Sequence, residues 1–243
     1  AIPVRTPPNQ THGIKTLQEK IMLEAFNFRV ILEYMPLYLQ CFLATLWLSA
    51  LSLIGAILVG IIACAMRLSQ SKAISRTAGV YIESIRSTPL LVQLYFFYFG
   101  LPSLGVMLPE WVTGVFALTL NSGAYYAEII RAGIQGIAFG QIEAGIASGL
   151  NYFQRMRYII LPQALGMTIR PMLGQAIVLV KDSSLLSLIS IMELTRAGQL
   201  LTSDRFMPTE GFLTTAAFYL ILYYLLKTFS SWSEKRLIFM EAH

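Results

Sequence analysis

An all-α membrane protein with five transmembrane helices is predicted by three observations: the apolar composition, long runs without charge, and basic residues gathered between those runs. Of the 243 residues, 56% are hydrophobic and only 13% are charged. A soluble domain carries about a quarter charged residues, because most of its surface must be polar. This chain has too few for a large soluble fold. The net charge of +5 does not point to nucleic acid, since the basic residues lie between hydrophobic spans, where they face the cytoplasm and anionic lipid.

Residues 1–33 read as an extracytoplasmic N-terminal segment and residues 34–243 as the five-helix transmembrane domain. Three prolines before Gly13 mark an irregular end. Ile14, Leu17, Ile21, Ala25 and Phe28 then recur at helical spacing, an amphipathic helix that lies on the membrane surface or packs on the bundle. The first span is expected over about Met35 to Met66, with no charge between Glu33 and Arg67. Ser49, Ser52, Ala56, Gly60 and Ala63 share one of its faces and allow close helix contact. Cys41 and Cys64 lie about 34 Å apart along that helix, too far to bridge.

A short loop with Arg67, Lys72 and Arg76 is expected next, then a second span over about Tyr81 to Leu101. Pro89 predicts a kink or a delayed helix start within it. The third span covers about Val112 to Ile134. The fourth runs over about Leu161 to Ile191, interrupted at Arg170-Pro171 and at Lys181-Asp182-Ser183-Ser184. Glu193 to Pro208 reads as a short surface helix, and the fifth span covers about Phe212 to Trp232. Basic residues follow spans one and three and close the C-terminus, which puts the N-terminus outside and the C-terminus in the cytoplasm. Arg196 and Arg205 conflict mildly with that orientation.

Catalytic constellations are missing from the sequence. The only histidines are His12 and His243, and no phosphate-binding loop ending in Gly-Lys-Ser/Thr occurs. No cofactor is expected in this chain. If transport is driven by ATP, a separate chain hydrolyses it. The informative residues are polar groups within apolar spans, which are costly in lipid and face a cavity or a partner. Asn121, Tyr125 and Glu128 fall on one helix face, suited to holding a polar solute. Glu128 either meets an ammonium group or pairs with Arg131 one turn on. Lys181, Asp182 and Ser183 sit where a helix break would expose backbone to a cavity, or else form an ion-paired joint. Ser122 and Gln93 complete the candidate set, with Arg86 and Thr88 beside them.

The longest polar gap is Glu143 to Pro162. It reads Glu143-Ala144-Gly145-Ile146-Ala147-Ser148-Gly149, nine residues, then Ile159-Ile160-Leu161-Pro162. This resembles the EAA loop of ABC importer permeases, the segment that docks on the ATPase, with Gly145 where the family pattern has Ala. Arg86 through Gln93, Asn121 through Tyr125, Ala127-Glu128-Ile129, Lys181 through Leu185 and Glu193 through Arg196 resemble the polar amino-acid branch of that family. The resemblance implies a type I ABC importer permease fold with a cytoplasmic coupling helix. It implies docking roles for Glu143, Ala144, Gly145, Gly149, Ile159, Leu161 and Pro162, and places Asn121 and Glu128 near the substrate. Implied partners are a second permease chain, identical or related, ATPase subunits holding ATP and Mg, and an extracytoplasmic solute-binding protein. The implied location is the bacterial inner membrane. Glutamine or glutamate is the first expected substrate, with basic amino acids as the alternative. An ATP-independent transporter and a non-transporting scaffold are the competing classes.

Overall fold

The computed structural model describes residues 26–241, with side chains through 231. The amphipathic helix expected over residues 14–28 lies almost entirely outside the described residues. Those residues form helices α1 (Phe28–Arg67), α2 (Lys72–Arg86), α3 (Leu90–Tyr95), α4 (Leu101–Ser103), α5 (Glu110–Gln135), α6 (Phe139–Ala147), α7 (Tyr152–Arg155), α8 (Leu161–Asp182), α9 (Leu194–Arg205) and α10 (Pro208–Glu241). A π turn at Phe96–Gly100 joins α3 to α4, another at Met156–Ile160 joins α7 to α8, and a 3-10 segment at Ser183–Ile189 extends α8.

Helix α1 starts seven residues ahead of the expected Met35. The Asn27 side chain accepts from the Arg29 amide at 3.1 Å and caps the start. Ser49, Ser52, Ala56, Gly60 and Ala63 are all buried, as their spacing predicts, and α1 packs along α5. The approach is closest at Gly60, where a Cβ would stand 2.5 Å from Tyr126 Cβ. Away from this seam Leu43, Ile54, Leu58 and Ile62 are exposed, an apolar outer face that water would not tolerate over such a length. Cys41 and Cys64 are free and buried.

Four expectations need correction. Lys72 and Arg76 are not in a loop: only Leu68 to Ser71 separates α1 from α2, and both cations lie on α2. The second span is not one helix. Helix α2 stops at Arg86, Pro89 is extended (φ −62°, ψ 138°), and α3 begins at Leu90. Pro89 disfavours a helical residue before it and has no amide hydrogen to donate. Arg170-Pro171 does not interrupt the fourth span, since Pro171 sits inside α8, where one lost hydrogen bond is tolerated. The segment after Glu193 is not a surface helix. Leu194, Ala197 and Leu201 are fully buried in a cluster with Val30, Tyr38 and Cys41 of α1. Their spacing of three and four is itself the signal of a buried face.

Among the described residues, three helical stretches are long and apolar enough to cross a membrane: Phe28–Arg67, Tyr152–Ile189 and Pro208–Ser231. The α3–α4 stretch, Leu90–Ser103, is apolar but short, and α5 has 26 residues with several polar groups. Leu48, Leu94, Leu118 and Ile189 bury the packing between α1, α3, α5 and the 3-10 segment. Arg205, one of the two cations in the region after span four, forms an ion pair with Glu33, and its neighbour Asp204 accepts from the Tyr34 hydroxyl at 3.0 Å.

Candidate functional site

The break between α2 and α3 opens one wall of a cleft. Ending a helix leaves carbonyls without partners, and Gln93 supplies them. Its side-chain nitrogen lies 2.8 Å from the Ile85 carbonyl, 2.8 Å from Thr88 Oγ1 and 3.0 Å from the Thr88 carbonyl. Its side-chain oxygen accepts from Asn121 Nδ2 at 3.0 Å. Gln93 and Asn121 therefore lock the Arg86–Pro89 break against α5.

The break, α5 and the end of α8 enclose a cavity of about 420 Å³ lined by Arg86, Thr88, Asn121, Tyr125, Gln175 and Asp182, among others. The Arg86 guanidinium stands 5.4 Å from the centre of the Tyr125 ring, a favourable cation–π position. Asp182 enters from α8, one residue before the helix tightens into its 3-10 extension. The cleft thus offers one cation, one carboxylate and two carboxamides.

Sequence reasoning places Asn121, Tyr125 and Glu128 on one face, and the structure divides them. Asn121 and Tyr125 line the cleft. Glu128 lies in an adjoining recess of about 190 Å³ with Arg67, Arg86 and Arg131. Both its oxygens are taken by Arg131, whose Nε donates to Oε1 at 2.8 Å and Nη2 to Oε2 at 2.7 Å. Arg86 approaches Glu128 Oε2 at 3.6 Å, so Arg86 forms the seam between the two recesses.

The remaining sequence candidates do not reach the cleft. Ser122 is buried outside the cleft lining, its hydroxyl without a hydrogen-bond partner among the described residues. Ser183 is fully buried and donates to the Val180 carbonyl at 2.8 Å. Lys181 is exposed outside the cleft. Gln175 and Val178 were missed, although with Asp182 they follow the i, i+3, i+7 spacing of one helix face.

The Glu143–Pro162 stretch folds as a helix, a turn and a second helix start. Gly149 (φ 75°) ends α6. Its amide donates to the Ile146 carbonyl at 2.9 Å and the Leu150 amide to the Gly145 carbonyl at 3.0 Å. These two bonds make a Schellman motif, which needs a left-handed residue at that point. Asn151 and Gln154 then form a capping box at the start of α7. Gly145 is buried against Ile159: a Cβ there would lie 2.7 Å from Ile159 Cδ1. Glu143, Ala144 and Pro162 are exposed, and Leu161 is 41% exposed. The outer face of α6 is unpartnered among the described residues, with Glu143 and Ile146 upon it.

A third polar constellation holds α9. The fully buried Glu193 carboxylate accepts from the amides of Arg196 (2.8 Å) and Thr195 (2.9 Å) and from the Tyr219 hydroxyl (2.7 Å). Burial pushes its carboxyl up to about 7, against the opposing pull of those donors. Tyr38 adds a bond to the Gly211 carbonyl at 2.7 Å, so the corner joins α1, α9 and α10.

Residues 52–239 match the family described as the inner membrane component of binding-protein-dependent transport systems. A probable glutamine ABC transporter permease protein, GlnM of Bacillus subtilis, is 36% identical over 87% of this chain and 98% of its own length. The glutamine transport system permease protein GlnP of Escherichia coli K12 is 38% identical over 81% of this chain and 91% of its own. The crystal structure of an amino acid ABC transporter with histidines contains a similar chain, with TM-score 0.83 and 37% identity, covering 86% of this chain and 98% of that one. The matched region runs from the middle of α1 into α10 and so takes in the cleft, the α6 turn and the Glu193 corner: the chain belongs to the family of inner membrane components of binding-protein-dependent transport systems.

Proposed function

We propose that this chain is the permease subunit of an ATP-driven importer of polar amino acids, with glutamine the first candidate. The cleft is the observation that carries the substrate class. A free amino acid is a zwitterion, and Arg86 and Asp182 line one cavity with opposite charges. Arg86 receives the α-carboxylate and Asp182 the α-ammonium group. Gln175 and the Asn121 carbonyl then face a side-chain amide. The volume of about 420 Å³ lies within the roughly 300–1,000 Å³ range of small-molecule sites. The names of the two glutamine relatives support the same choice. A basic amino acid would find Glu128 already engaged by Arg131, which ranks that substrate second.

In this reading five segments cross the inner membrane: α1, the α2–α4 stretch, α5, α7–α8 and α10. The N-terminus lies outside and the C-terminus in the cytoplasm. Helix α6 is the coupling helix, seated on an ATPase subunit that hydrolyses ATP. Two permease chains work together, fed by a solute-binding protein. ATP binding moves α6, and the rigid bundle rocks between outward-open and inward-open states. The test is reconstitution with the ATPase and binding protein, measuring ATP hydrolysis and uptake against a panel of amino acids. Glutamine is expected to stimulate both. Stimulation by no amino acid, or uptake by the chain alone under an ion gradient, overturns the reading.

A further inference from the structure

Two recesses meet at the corner between α1 and α2, and neither is the solute cleft. The first is an apolar groove of about 610 Å³ between the end of α1, α5 and the start of α8, with Ile61, Ala65, Ile134 and Leu165 on its walls. The second is a polar recess of about 840 Å³ around the start of α2, lined by Arg67, Lys72, Arg76 and Glu83. Ser69 and Gln70 line both, so the groove and the recess adjoin at these two residues.

The charges in the recess are three cations against one carboxylate. Arg67 is held in place, donating from Nη1 to Ser75 Oγ at 3.1 Å. Lys72 and Arg76 are exposed. No side-chain oxygen caps the start of the 15-residue helix α2, so its first amides also favour an anion there. Arg67 ends the long apolar run of α1, which puts the recess at the edge of the hydrocarbon layer and the groove inside it.

We infer that this corner binds an anionic phospholipid, its phosphate in the Arg67–Lys72–Arg76 recess and one acyl chain in the groove. A free phosphate has no use for the groove, and a zwitterionic lipid gains less from the excess cations. Basic pockets beside membrane helices recognise lipid headgroups in this manner. Tyr152 and Met156 also line the groove. The acyl chain therefore lies against α7 and the turn after it, the segment that follows α6.

The test is lipid binding, which reads independently of transport. The permease-containing complex in phosphatidylcholine nanodiscs is titrated with spin-labelled phosphatidylglycerol. The double variant Lys72→Gln/Arg76→Gln is expected to weaken association by roughly thirtyfold, about fivefold per charge, with Lys227→Gln on α10 unchanged. Ala65→Trp, at an exposed groove position, is expected to weaken it also by filling the space of the chain. The proposal is overturned if the double variant behaves like Lys227→Gln, which leaves only general attraction to the bilayer. It is equally overturned if Ala65→Trp binds the probe as the parent does, or if soluble glycerol phosphate displaces the probe at matching concentration. Size-exclusion profiles of both variants matching the parent confirm that the fold is retained.

Discussion

The α6 turn and the cleft lined by Arg86, Asn121 and Asp182 are built on opposite plans. The turn is made from residues close together in the sequence: Gly145, Gly149, Asn151, Gln154, Arg155 and Ile159 hold one another. The cleft is made from residues far apart, with Arg86, Asn121 and Asp182 delivered by α2, α5 and α8. A local structure can be moved as a unit by a partner pushing on it. A cleft assembled from three helices changes shape whenever those helices shift. The contrast suits a division of labour in which one region receives force and the other responds to it.

The largest effect is expected in the cleft. Arg86→Gln and Asp182→Asn each remove a charge-assisted contact to a zwitterion, worth about 1.5–3 kcal/mol, or roughly ten- to hundredfold in affinity. Uptake into proteoliposomes should fall by that factor while the complex with the ATPase still assembles on a sizing column. A loss of assembly instead would show that the cleft is a structural joint, and the comparison with the turn would fail.

Next comes the turn. Gly149→Val places a β-branched residue at φ 75°, a strain on the order of 1–3 kcal/mol. The Schellman bonds are expected to open and α6 to lose its fixed exit. Solute-stimulated ATP hydrolysis should then drop several-fold while the solute concentration for half-maximal stimulation holds. If that concentration shifts instead, the turn and the cleft are one unit.

The same contrast governs what the sequence could tell. The turn was legible because its signals are contiguous: Gly149 after a run of small residues and Pro162 ahead of an apolar run. The capping box of Asn151 and Gln154 emerges only in the structure. The small-residue face of α1 was legible for a related reason, since its period is the helix's own. The cleft was legible only in part. Asn121, Tyr125 and Asp182 stand out as polar groups in apolar spans, but no spacing says that Ser122 and Ser183 point into the bundle, or that Arg131 has claimed Glu128. Gln175 was overlooked because an isolated amide in a helix carries little signal until Asp182 is known to share its cavity. Polarity likewise made α9 read as a surface helix, when Glu193 is buried with its own set of donors.

That buried corner gives a pH test away from both regions. The folded Glu193 carboxyl sits at about 7 against an ordinary 4.5, so its protonated form is the one folding favours. Its contribution is full below about 4.5 and is lost as pH rises toward 7. Thermal unfolding of the purified permease should show a midpoint falling across that window more steeply in the parent than in Glu193→Gln. The difference should be several degrees, at about 2–4 °C per kcal/mol for a chain of this size. Parallel slopes would show that the three donors, not burial, set the state of this carboxyl.

The smallest effect is expected from Gly145→Ala, which restores the family's usual residue. Within a helix Ala is favoured over Gly by about 1 kcal/mol. Against that, its Cβ would stand 2.7 Å from Ile159 Cδ1 and 3.1 Å from Arg155 Cδ. Both are side-chain atoms able to move by a few tenths of an ångström. Arg155 must do so without dropping its 2.7 Å bond to the Leu150 carbonyl, the tie between α7 and the end of α6. The two contributions nearly cancel, so coupling and stability should change by less than about 0.5 kcal/mol, read as unfolding midpoint and stimulated ATP hydrolysis. A loss of coupling with an unchanged midpoint would show that the Ile159 contact transmits the motion of α6 into α8, and hence toward Asp182 at its far end.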